Sequence, residues 1–276
     1  MTAGIAVDAG PEAAARSGDT AGALRAFVAL LWRDVFVTGR ELVAFLAQVI
    51  LQPLFLLFVF GKVLGDLGYT QGNFEQVLLP GVIAFTAFLT ALQNVAFPLV
   101  IDFSYTKEIE DRLMAPLPTW LVAVEKIVFA TLRALIAAVL MFPLGYWVLG
   151  EVSITWSAVP AVAMFLVLGS LVGAALGLTL GTLVTASKIN LVFAIVLTPL
   201  LFTGSTQFPW VALDDLRWFQ VICAFNPLTY VSEGMRAEML PSLEHIPVWV
   251  SAAALLCFLA LFLAVGVKGF LRRAID

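Results

Sequence analysis

Charge is scarce in this 276-residue chain: Asp, Glu, Lys and Arg together make up 12%, about half the share of a soluble domain. Histidine occurs once and cysteine twice. Each shortage excludes something. His245 alone cannot build an imidazole metal centre, and Cys223 and Cys257 stand apart, without a CxxC or a ligand cluster. Both cysteines read as small apolar packing residues, and His245, between Glu244 and Pro247, as a solvated loop residue. A net charge of −4 offers no basic footprint for nucleic acid. GxSxG, HExxH and the phosphate-cradling GxxxxGK[ST] are all missing, so neither an intramembrane hydrolase nor a self-contained ATPase is written here. What is abundant is apolar. Hydrophobic residues reach 62% and mean hydropathy is +1.02, too much to clothe a soluble globule in polar surface. The chain reads as an all-α integral membrane protein.

Six apolar blocks are long enough to span, at about 20 residues per span. They cover approximately 43–64, 78–101, 121–149, 158–186, 189–203 and 248–268, the fifth being the shortest. Residues 1–20 mix Asp8, Glu12 and Asp19 with Ala and Gly and read as a disordered cytoplasmic tail rather than a signal peptide. Residues 21–276 then form one transmembrane domain. Before the first span, Leu24, Phe27, Val28, Leu31 and Val35 share one helical face, with Arg33 and Arg40 opposite. That pattern predicts a helix lying in the membrane interface. With the N-terminus inside, eleven of the fifteen basic residues are cytoplasmic: Arg16, Arg25, Arg33, Arg40, Lys107, Arg112, Lys126, Lys188, Lys268, Arg272 and Arg273. Lys62, Arg217 and Arg236 fall outside and Arg133 within the third span. The bias places both termini in the cytoplasm.

Three places break the apolar pattern. Between spans two and three, Lys107, Glu108, Glu110, Asp111 and Arg112 cluster beside an apolar edge of Ile109, Leu113 and Leu117, and Pro116 and Pro118 stop the helix. A short amphipathic helix of this kind suits docking into a groove on a soluble partner. In the fourth span, Gly169, Gly173, Gly177 and Gly181 recur every four residues. This stripe predicts close helix packing. Finally, residues 203–247 are too polar to span and too apolar to float. They hold Phe208-Pro209-Trp210, the patch Val221 to Phe225, and Asn226-Pro227-Leu228-Thr229-Tyr230 with Glu233 and Arg236. Irregular backbone at membrane depth must be buried in protein or line a cavity, so two short external helices dipping into the outer leaflet are expected. Glu233 and Arg236, at i and i+3, are spaced to pair.

Taken together, these features resemble the permease subunit of a type-2 ABC exporter, the group of daunorubicin-type drug efflux and polysaccharide or lipid permeases. The Asn226–Tyr230 string followed by Glu233 and Arg236 is its most specific mark, joined by Lys107-Glu108-Ile-Glu110 leading to Pro116-Leu117 and by Glu125-Lys126. The resemblance implies six transmembrane helices, a cytoplasmic coupling helix and re-entrant external helices between spans five and six. It implies a separate ABC ATPase, in two copies, carrying ATP and Mg, and a second permease, identical or paralogous. Lys107, Glu108, Glu110 and Arg112 are then the expected coupling residues. Phe208, Trp210, Phe225 and Tyr230 are expected at the substrate path or external gate. The setting implied is the plasma (inner) membrane of a bacterium. Spans almost free of charge, with 22 Phe against 4 Tyr, favour a hydrophobic or amphipathic cargo, a drug or lipid. A lipid-linked glycan carried by the same architecture is the alternative, and an ATP-independent channel or scaffold a remote one.

Overall fold

The computed structural model describes residues 20–40, 42–68, 74–106, 118–150 and 154–275. Among these residues every regular element is helical. An opening helix α1 (Thr20–Arg40) leads to α2 (Leu42–Asp66), α3 (Phe74–Ser104), α4 (Thr119–Leu149), α5 (Val159–Leu183) and α6 (Ala186–Thr203). Two short helices follow, α7 (Arg217–Ala224) and α8 (Pro227–Met239), and then α9 (Val248–Ile275). Six of them, α2 to α6 and α9, are long and apolar enough to cross a membrane. The expected blocks therefore map one to one onto helices. Internal prolines at 53, 80, 98, 143 and 199 are accommodated without breaking them, as membrane helices with well-packed neighbours allow.

The helix α3 is the axis of the bundle. Every residue from Leu78 to Phe88 is buried, the signature of a helix surrounded by others. Its neighbours α4 and α5 enclose it, and α9 leans on α5. Small residues set how close they come. A Cβ on Gly173 or Gly177 would collide with the Phe88 or Leu92 carbonyl of α3, and one on Gly169 with Val231 of α8. Gly181 abuts Leu99 and Ala96. The glycine stripe thus lies in the α3–α5 seam, turning toward α8 at Gly169. Three span-embedded hydroxyls bond within their own helix: Thr86, Thr179 and Thr182 each donate to the carbonyl four residues earlier, at 2.8, 3.0 and 2.9 Å.

By contrast, α2, α6 and α9 are largely uncovered, α6 most of all. This corrects the reading of Cys257, which is exposed on α9 instead of packed; only Cys223 is buried. Burial pushes the Cys223 thiol up, so it stays protonated and inert. The structure also gives Arg133 a neighbour. Its guanidinium stands 4.0 Å over the ring of Phe45, in the opening turn of α2. Arg133 lies within the third span, as expected, at the level where α2 begins. The stem of α4 from Thr119 extends about 21 Å beyond it at 1.5 Å per residue.

A leucine at Gly177 has no room beside the Leu92 carbonyl. Gly177→Leu is expected to lower the yield of monodisperse protein several-fold and the melting temperature in detergent, since overpacking costs about 1–3 kcal/mol or more. Unchanged yield and melting would show that the seam can open freely.

Candidate functional site

At the end where α3 begins, residues 203–247 fold back into the bundle. The Asn-Pro-Leu-Thr-Tyr string is a set of fasteners. Asn226 caps α8 by accepting from the Leu228 N–H at 2.9 Å, with Pro227 at the first helical position. Its amide nitrogen donates to the Leu200 carbonyl and the Thr203 hydroxyl, both at 2.9 Å, which ties α8 to the end of α6. Thr229 donates to the carbonyls of Cys223 (2.7 Å) and Thr203 (3.1 Å), and the Tyr230 hydroxyl to that of Ala224 (2.8 Å).

One turn further, Glu233 and Arg236 form an ion pair with no exposure to solvent. Glu233 also accepts the Trp210 N–H at 3.0 Å and the Ile246 N–H at 3.4 Å. Arg236 donates to the Ser205 carbonyl at 3.0 Å and the Val77 carbonyl of α3 at 3.4 Å. Ser205 adopts a left-handed φ of 49°, and a Cβ on Gly81 would overlap the Thr206 carbonyl. Five separated stretches thus meet at one pair of charges. Both side chains have several partners, the condition under which a buried pair is tolerable.

At the opposite end the bundle carries α1 and the stems that flank residues 107–117. Lys126 of α4 donates to Asp102 of α3 at 2.8 Å, and both side chains are nearly withdrawn from water. Beside them the Phe103 ring lies 4.9 Å under the Arg273 guanidinium and edge-on to Phe270. Arg273 donates to the carbonyls of Gly181, Thr182 and Val184 at 3.3, 3.1 and 3.1 Å, capping the free end of α5.

Between these ends, α6 stands away from α3. They meet through Phe97 and Phe193, stacked 4.2 Å apart. Farther along, a cavity of about 140 Å³ opens between α2, α3 and α6. Gln52, Gln93 and Thr198 supply its polar groups and Phe85, Leu89 and Phe202 much of its apolar wall. A mostly apolar chamber with a few amides and a hydroxyl can hold an amphipathic molecule and orient it.

A family model described as ABC-2 type transporter matches residues 25–240, which runs from α1 through α8 and stops short of α9. The chain belongs to the ABC-2 type transporter family. Relatives include the Inner membrane transport permease YadH of Escherichia coli, 26% identical over 74% of this chain and 78% of the relative. The Putative transport permease ycf38 of Cyanophora paradoxa is 27% identical over 75% of this chain and 72% of the relative. Membership implies an ABC ATPase subunit as partner.

In this ABC-2 permease the four expected coupling residues, Lys107, Glu108, Glu110 and Arg112, lie outside the described residues. The four expected gate aromatics do not converge on one chamber. Trp210 is locked by Glu233, and its indole N–H donates to the Gln220 carbonyl at 2.9 Å. Tyr230 holds α7 to α8 and its ring lies 6.1 Å from that of Phe258. Phe208 packs near Phe219, and Phe225 is 78% exposed at the α7–α8 turn. The cavity residues Gln52, Gln93 and Thr198 were missed by sequence reasoning, which searched the spans for charge. Uncharged polar residues inside apolar blocks were the available signal.

Removing Glu233 leaves Arg236 buried without its countercharge. Breaking such a pair costs about 3–5 kcal/mol, so Glu233→Ala is expected to lower the melting temperature of the purified permease by many degrees. Replacing both by apolar residues (Glu233→Leu with Arg236→Met) is expected to recover much of the loss. A single variant that melts like wild type would show that the pair fastens nothing.

Proposed function

We propose that this permease is the membrane half of an ATP-driven exporter in a bacterial inner membrane, with both termini cytoplasmic. One observation carries the reading: a chain of the ABC-2 family has no phosphate-binding loop of its own. ATP and Mg are therefore assigned to a separate ATPase subunit, in two copies, and this chain is not an enzyme. Lys107, Glu108, Glu110 and Arg112 are assigned to the contact with that subunit, because the charged segment they form joins two of the most tightly packed spans, α3 and α4. The basic-residue bias supports placing this end, with α1, in the cytoplasm.

The cargo is assigned as hydrophobic or amphipathic, a drug or a lipid, and the cavity between α2, α3 and α6 as its path. Its amide groups and apolar wall suit a molecule with a polar head and an apolar body. The path lies beside two of the three largely uncovered helices, with Leu51 and Phe55 exposed on α2 and Leu191 and Ile195 on α6. A second permease covering those faces would enclose the path. Phe208, Trp210, Phe225 and Tyr230 are assigned to the external cap over its exit, with Phe225 the one whose ring is free to move.

Tagged protein drawn from native membranes is expected to bring down an ATP-hydrolysing subunit, with two permeases per complex. Recovery of the permease alone under gentle conditions would overturn the exporter reading in favour of a channel or scaffold. In the complex, Glu108→Gln with Glu110→Gln is expected to reduce cargo-stimulated ATP hydrolysis several-fold with membrane insertion unchanged. Full stimulation in that variant would remove these carboxylates from coupling.

A further inference from the structure

The ion pair Asp102–Lys126 sits at the base of the two stems that flank residues 107–117. It differs from Lys62–Asp66, an exposed pair one turn apart on a single helix of the kind that contributes little. Asp102 and Lys126 are 24 residues apart, belong to different spans and are 11% and 9% exposed at the side chain. A buried pair is a poor device for stability alone, because well-packed apolar residues do as well; its use is to fix one relative geometry. Here that geometry is the angle and register of α3 against α4.

The contact chain continues from this pair. Asp102 is followed by Phe103, whose ring stacks under Arg273 and against Phe270 of α9. Arg273 holds the carbonyls that end α5. Lys126, Asp102, Phe103, Arg273 and the α5 terminus therefore join α4, α3, α9 and α5 through consecutive polar and aromatic contacts. The two spans outside this chain of contacts are α2 and α6, which border the cavity together with α3.

We propose that Lys126, acting through Asp102, and Arg273, acting through the end of α5, are positioning residues of the transport cycle. They make α3, α4, α5 and α9 move as one body when the ATPase moves residues 107–117, so that α3 shifts against α2 and α6 and reshapes the cavity. The proposal rests on the exporter reading, but it concerns only how motion crosses the permease. Hinge-type transitions of packed bodies are the general form of such a step.

The test uses the purified complex with its ATPase, after Cys223 and Cys257 are replaced by alanine and spin labels are placed on exposed positions. One label pair, at Ile136 of α4 and Leu191 of α6, reports body against cavity wall; the other, at Ile136 and Leu261 of α9, reports within the body. With ATP and vanadate, the first distance is expected to change by several ångström and the second to stay constant. Lys126→Met is expected to keep ATP hydrolysis but to lose at least half of the first change. The exchanged pair, Asp102→Lys with Lys126→Asp, is expected to restore it, and the apolar pair, Asp102→Leu with Lys126→Leu, to fold without restoring it. Arg273→Met is expected to make the second distance vary with nucleotide. A full shift in Lys126→Met, or in the apolar pair, overturns the proposal while leaving the exporter reading intact. If Lys126→Met does not assemble, the exchanged and apolar pairs decide. Absence of any nucleotide-dependent shift in the wild-type complex overturns the exporter reading itself.

Discussion

A polar group at membrane depth has no water to turn to, and each one left unsatisfied there costs several kcal/mol. Much of the architecture follows from that constraint. Thr86, Thr179 and Thr182 return their hydroxyls to their own helices. At the end where α3 begins, Asn226, Thr229, Tyr230 and the Glu233–Arg236 pair take up backbone groups freed where residues 203–247 leave regular helix. At the other end the carbonyls that close α5 are met by Arg273. Charge is rare in this protein because every buried charge obliges several neighbours to serve it.

The same constraint explains the role of glycine. With lipid as apolar as leucine, spans are held together by close contact and not by exclusion of water. Gly173 and Gly177 bring α5 against the backbone of α3, and Gly81 admits the turn at Thr206. Where such contact is missing, as along α6, a cavity remains and polar side chains reach into it. The tightly packed and the loosely packed halves of the bundle are thus one design. The closely packed α3, α4 and α5 stand beside the largely uncovered α2, α6 and α9.

Much was legible beforehand. The six spans could be counted because twenty apolar residues are a strong signal, and the pairing of Glu233 with Arg236 followed from their spacing. The glycine stripe announced close packing, though not which helix it faced. Trp210 and Tyr230, expected at the substrate path or external gate, have their polar groups engaged with neighbouring backbone. Aromatic residues at an interface look alike in sequence whether they anchor, fasten or gate. The side-chain partners of Trp210 and Tyr230 lie 10 and 6 residues away.

Composition and hydropathy alone determined that this chain lives in a bilayer, how many times it crosses and where the pattern fails, because transfer of apolar surface is a local property of each segment. The tertiary structure decided the rest. It set Arg133 over the ring of Phe45 and put Cys257 on an uncovered face. It joined Asp102 to Lys126 and opened a chamber around Gln52, Gln93 and Thr198. These depend on the stagger and spacing of helices distant in sequence, which are set by side-chain volumes and partners on both surfaces of each contact.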